Sequence, residues 1–192
     1  IKIMGDMNID NKGYKRSAID LEEGATLNLY VYGKVEVNSG YGEDAVDATP
    51  GKGGYAGIHI PEGATLNLYG TGTITAIGGN AGSGPETYGK ANIYTAGGGG
   101  AGAGIGGSGG DGGSGIGGNN DIDYRICESG YAGENCGNIN IYNSLTVYAY
   151  GGAGGAGGNG GTINAAGSGG GGGYPAAGIG GGGAGGAGST CC

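Results

Sequence analysis

Apolar and polar residues alternate with period two along the first third of the chain. Leu27, Leu29, Val35 and Val37 are apolar, and Asn28, Tyr30, Lys34 and Glu36 lie between them. Alternation of this kind places one set of side chains on each face of a strand. It predicts short strands at IDL 19–21, TLNLY 26–30 and KVEV 34–37, separated by the turn residues Glu-Gly and Gly. No stretch sustains a 3.6-residue period, so no helix is predicted.

The pattern repeats. EGATLNLY occupies residues 23–30 and recurs at 62–69, and the register continues without a gap: Gly33 falls on Gly72, Val35 on Ile74 and Val37 on Ala76. Ile139–Gly152 overlays Leu66–Gly79. Ile1–Asp10 is overlaid on Leu66–Thr75. ANIYTAGG at 91–98 and GGTINAAG at 160–167 read as degenerate copies. A small pair followed by Ile marks the start of each copy, at Ile19, Ile58, Ile105, Ile116 and Ile179. Three short strands per copy, stacked copy on copy, predict a triangular parallel β-solenoid (β-helix), an all-β fold. Leu27 should lie over Leu66, and Ile19 over Ile58.

Composition sharpens this picture. Of 192 residues 58 are Gly, and Leu, Ile, Val and Phe together number 28. That aliphatic share is too low for a conventional globule, yet a narrow axial core filled winding by winding needs few large residues. Four prolines and no strict Gly-X-Y run exclude collagen. Residues 1–96 hold 18 glycines and 97–192 hold 40. The chain therefore reads as one elongated solenoid over 1–192, strand-rich over 1–96 and Gly-rich over 97–192. The excursions 40–56, 78–102, 117–137 and 151–176 interrupt the strands. The run 151–162 has a period of three, GGA-GGA-GGN-GGT, which suits polyglycine-II helices packed side by side.

These motifs, AGI followed by TLNLYGTGTITAIGG and then GAGIGG runs, resemble the glycine-rich β-solenoid repeats of large bacterial cell-surface proteins. A looser likeness is to the polyglycine-II tip adhesins of phage tail fibres; this chain differs from them in its strands and its four cysteines. The resemblance implies an extracellular, cell-surface location and a structural or adhesive role.

The net charge of −8 argues against nucleic acid. No apolar run is long enough to span a membrane as a helix. The start at Ile1 suggests a processed product or a piece of a longer chain. Cys127, Cys136, Cys191 and Cys192 are candidate disulfide partners, with Cys127 and Cys136 able to close a short loop and the C-terminal pair able to reach it or another subunit. No zinc spacing is present, and no metal or other cofactor is expected. Asp121, Asp123 and Glu128 make a weak calcium candidate.

Catalysis is not expected. His59 should point outward from its strand, and no triad can be assembled around it. Asp10 and Glu36 share a repeat position in the overlay above, beside Lys34, which gives a remote carbohydrate-active reading. The Thr73 and Thr146 position carries Lys34 and Asn8 elsewhere, too broken for an ice-binding array. The stronger binding candidates are two ladders: Tyr30, Tyr69 and Tyr142 at one repeat position, and Asn28, Asn67 and Asn140 at another. They suit a glycan or a receptor surface, or packing beneath the Gly-rich excursions, which is the preferred reading. The functional expectation is a structural or adhesive module that self-associates into filaments, with a glycan- or receptor-binding tip as the alternative.

Overall fold

The computed structural model describes residues 1–46, 49–85, 93–94, 96–117, 126–142, 144–158 and 172–188. Over these residues the chain is all-β, with no helix. It visits three sheets in a fixed order. The first winding supplies β1 (Lys2–Ile3), β2 (Met7–Asp10) and β3 (Ile19–Asp20). The second supplies β4 (Thr26–Val31), β5 (Lys34–Asn38) and β6 (Ile58–His59). Next come β7 (Thr65–Gly70), β8 (Thr73–Ile77), β9 (Ile93–Tyr94) and β10 (Ile105–Gly106). The chain then forms β11 (Gly115–Gly117), β12 (Ile126–Cys127), β13 (Asn138–Ile141), β14 (Thr146–Tyr150) and β15 (Ile179–Gly180).

The three main sheets are parallel, with strand orders β1-β4-β7-β13, β2-β5-β8-β14 and β3-β6-β10-β15. Each thus holds one strand from each of four windings. The compositional boundary near Gly97 is not a boundary of these sheets, since β10, β13, β14 and β15 extend the same three.

The expected register holds in the middle of the stack. Leu27 pairs with Leu66 and Tyr30 with Tyr69. Ile19 pairs with Ile58, which in turn pairs with Ile105, and Ile105 with Ile179. Inward residues Leu29, Ile58, Leu66, Leu68, Ile74 and Ile105 are buried and form one apolar column. The Glu-Gly turns work because Gly24 and Gly63 both adopt positive φ, 74° and 84°, which side chains disfavour.

Three sequence expectations need correction. Ile1–Asp10 overlays Leu29–Asn38, and hence Leu68–Ile77, two positions away from the expected alignment: Lys2 pairs with Tyr30 and Met7 with Val35. A slip of two leaves the in–out alternation intact, so periodicity alone does not reveal it. The turn glycines do. Gly5, Gly33 and Gly72 stack so closely that a Cβ on Gly33 would sit 2.3 Å from the Gly5 carbonyl oxygen, and one on Gly72 would sit 2.3 Å from that of Gly33. Second, Ile116 does not begin a winding: β11 pairs antiparallel with β9 and β12 in a separate three-stranded sheet. Third, Ile93 of ANIYTAGG belongs to that same antiparallel sheet, so this segment is not a degenerate copy. The run 160–167 lies outside the described residues.

The Gly-rich segments run beside one another, joined by backbone hydrogen bonds. Residues 96–103 are the hub. Gly97, Gly100 and Ala103 donate to Gly113, Gly110 and Gly107, at every third residue. Gly99 and Gly102 donate to Gly82 and Gly79, and Ala101 donates to Tyr174. Carbonyls of the same run accept from Gly51 and Gly54, from Gly152, Gly155 and Gly158, and from Gly183 and Gly186. Six different segments therefore surround it.

The run after β12 is extended in the same way: Glu128, Tyr131 and Glu134 donate to Ser114, Asp111 and Ser108. A ring closed between Cys127 and Cys136 does not fit this antiparallel ladder. At about 3.1 Å per residue their backbones lie roughly 28 Å apart, against the limit of about 7 Å for a disulfide.

Candidate functional site

Two surfaces concentrate side chains with recognition chemistry. The first is the outer face of the β1-β4-β7-β13 sheet. Register places Asn28, Asn67 and Asn140 in one row and Tyr30 and Tyr69 in another. Asn67 Nδ2 donates to Asn28 Oδ1 at 2.9 Å, and Asn140 Nδ2 donates to Asn67 Oδ1 at 2.9 Å. The rings of Tyr30 and Tyr69 stack at 4.7 Å with planes 15° apart. Those of Tyr69 and Tyr142 stack at 4.7 Å and 6°. The spacing is that of adjacent strands, so the sheet itself sets the stack. Partial desolvation within the stack, with Tyr142 and Tyr30 on either side, raises the Tyr69 phenol above its ordinary value.

The preferred expectation was that Gly-rich excursions fold over this face. The described parts of those excursions leave it open: Tyr30 is 39 % and Tyr142 42 % exposed. The segments that follow β2, β5, β8 and β14 lead instead toward the β3-β6-β10-β15 sheet.

The second surface is a cleft of about 510 Å³, lined from the 15–17 segment, β3, β6 and the Gly-rich runs that flank them. His59 stands at its base. It points outward between the buried Ile58 and Ile60, as the alternation predicts, but it is not solvent-exposed: the side chain is only 16 % exposed. Its Nδ1 lies 2.6 Å from Asp20 Oδ1 and its Nε2 lies 2.8 Å from Glu134 Oε2. Glu134 also accepts from the Ser108 amide at 3.0 Å. The Glu134 hydrogen bond and then that of Asp20 raise the imidazole above its ordinary value against the opposing effect of burial. The same contact with His59 holds the Glu134 carboxyl below its own. With both ring nitrogens occupied, His59 has none left to act as a base. Its arrangement is a clasp between the second winding, the first winding and the 128–136 run.

Two further ion pairs line the cleft. Lys15 meets Glu43, and Lys52 Nζ meets Asp111 Oδ2 at 2.7 Å. Asp111 also accepts from the Gly53 amide at 2.9 Å. The pair raises the Lys52 ammonium above its ordinary value. Arg16 differs: its guanidinium lies 5.1 Å over the ring of Tyr14 and has no carboxylate partner among the described residues. Tyr41 and Tyr55 complete the wall.

Asp20 opposite His59 was available from the repeat, since Ile19 aligns with Ile58. Glu134 was not, because it arrives from a Gly-rich excursion with no repeat register. The Asp10–Glu36 pair does not form. Glu36 faces Asn8, while Asp10 pairs with Asn38 and its side chain accepts from the Lys12 amide at 3.0 Å. Cys136 is a half-buried free thiol beside the Gly137 carbonyl, and burial pushes its pKa up. The side chain of Cys127, and Cys191, Cys192, Asp121 and Asp123 altogether, lie outside the described residues.

No protein-family model matches the chain, and no curated protein or solved structure shows significant similarity to it.

Proposed function

We propose that the chain is a parallel β-solenoid whose Gly-rich insertions form a polyglycine-II bundle, and that it is an extracellular structural and adhesive module that extends end to end. The in-register parallel sheets and the three-residue donor spacing around residues 96–103 support the architecture. The resemblance of the repeat to cell-surface proteins supports the location.

One observation carries the functional reading: over the described residues the apolar column is open at both ends. Leu68 and Ile105 in the third winding are fully buried. The residues stacked on them in the fourth, Ile141 and Ile179, are 45 % and 46 % exposed. At the other end Ile1 is 74 % exposed. Among the described residues the strands of the first and last windings also have one unpaired edge each. Exposed edges over an apolar column template further strands. A second copy continues the stack by pairing its β1, β2 and β3 with β13, β14 and β15. Cys191 and Cys192 then link copies covalently. The reading assigns the chain no catalysis.

Light scattering and negative-stain electron microscopy of the purified chain test this. Fibres or rods that shorten when Val147→Asp is introduced support it; a monomer at every concentration contradicts it. A non-reducing gel reads the covalent link separately.

A second reading rests on the uncovered ladders. Regular tyrosine rings beside amide groups suit the face and hydroxyls of a glycan. A glycan array with Tyr69→Ala as the control separates it from a purely structural role.

A further inference from the structure

We infer that the cleft beside His59 is a binding site for a saccharide that carries a carboxylate, with the acid group on Arg16 and the sugar ring against Tyr41. The site is separate from the tyrosine ladder, which lies on another sheet, and from the open ends.

The charges of the cleft select the ligand. Each carboxylate in its wall already has a cation: Asp20 and Glu134 share His59, Glu43 has Lys15, and Asp111 has Lys52. Arg16 alone among the wall's cations is unspent. A guanidinium offers a planar fork that matches a carboxylate with two parallel hydrogen bonds. Its guanidinium lies 5.1 Å over the Tyr14 ring, a cation–π contact that uses none of its N–H donors. The acidic residues around it disfavour a second negative charge on the ligand, which points to a single carboxylate.

The walls select the rest of the molecule. Tyr41 is 46 % exposed and offers an apolar face with a hydroxyl at its tip. Tyr55 stands half-buried nearby. Sugars present the same combination, an apolar ring face with hydroxyls at its rim. A volume of about 510 Å³ suits a ligand of two or three rings. The cleft is open because the first winding has only a short segment, residues 11–18, where the later windings have long ones.

Amide chemical-shift titration of the whole chain tests the inference. The probes are a β-1,4-linked glucuronate trisaccharide of one glucuronate and two glucose units, cellotriose as its neutral counterpart, and acetate as the carboxylate alone. The expected result is saturable binding of the glucuronate trisaccharide, with shifts at Arg16, Tyr41 and Gly53. Cellotriose and acetate should each bind about tenfold more weakly or worse, the usual scale of a charge-assisted hydrogen bond. Arg16→Ala should weaken glucuronate binding by a similar factor, Arg16→Lys should restore only part of it, and Tyr41→Ala should weaken both sugars. Lys34→Ala, on the β2-β5-β8-β14 sheet, should change nothing. Equal binding of the acidic and neutral sugars, acetate as good as the trisaccharide, no effect of Arg16→Ala, or no shifts up to about 10 mM would each overturn the assignment. All these side chains are exposed, so the variants keep the fold, and an unchanged amide spectrum outside the cleft checks it.

Discussion

Glycine in this protein is chosen by what it lacks. A Cβ on Gly100 would sit 2.0 Å from the Gly183 carbonyl oxygen, and one on Gly99 would sit 2.2 Å from that of Lys52. Both neighbours are backbone and cannot step aside. Gly100→Ala should therefore destabilise the fold by about 3 kcal/mol, at or beyond the upper end of ordinary overpacking. Gly13→Ala, with nothing within 4 Å of the added atom, should be neutral or slightly stabilising. Thermal melts of the two variants make the comparison. The His59 clasp gives a second prediction at this scale. The folded imidazole binds its proton more tightly than the ordinary value of 6.5, so its contribution is complete below that pH and is lost as pH rises through the folded value. Glu134 is held below 4.5, so its contribution is present above that pH and fades as pH falls through its folded value. Stability should peak between about pH 4.5 and 6.5. Denaturant midpoints measured against pH should show the peak, and His59→Gln should flatten it.

Among elements, position in the stack decides cost. Leu68 and Ile141 occupy the same column, one fully buried and the other half exposed at the end. Leu68→Ala should cost about 3–4 kcal/mol, as for a closed core site, and Ile141→Ala about 1 kcal/mol. Equal losses in urea titrations would contradict an open last winding. The strands themselves were legible because period-two alternation and the EGATLNLY repeat are local. The stacking of Ile19, Ile58, Ile105 and Ile179 followed from the AGI marker. Ile116 carried the same marker and went elsewhere, since a three-residue signal cannot distinguish a parallel from an antiparallel partner. The two-residue slip at Ile1–Asp10 escaped because alternation is blind to even shifts. Glu134 escaped because it lies on a segment whose placement is set by backbone packing between distant glycine runs, and Arg16 because it lies on a short connection with no repeat register; neither leaves a trace in local side-chain pattern.

For the whole molecule, two modes of order meet. Aliphatic columns hold the three sheets, and backbone hydrogen bonds hold the glycine runs that emerge from them. The second mode is unusual because chains this rich in glycine lose much conformational freedom on ordering. A dense set of backbone bonds around one central run offsets that cost. Both modes depend on the same windings, so they should melt together, and calorimetry should give a single transition. Two separated transitions would mean that the glycine runs fold independently of the sheets. Amide hydrogen exchange tests this account most directly. Gly97, Gly99, Gly100 and Gly102 should be among the slowest-exchanging amides, comparable to Leu66 and Leu68 in the core strands. Exchange of these glycines at the rate of an unstructured peptide, while the strands stay protected, would contradict it.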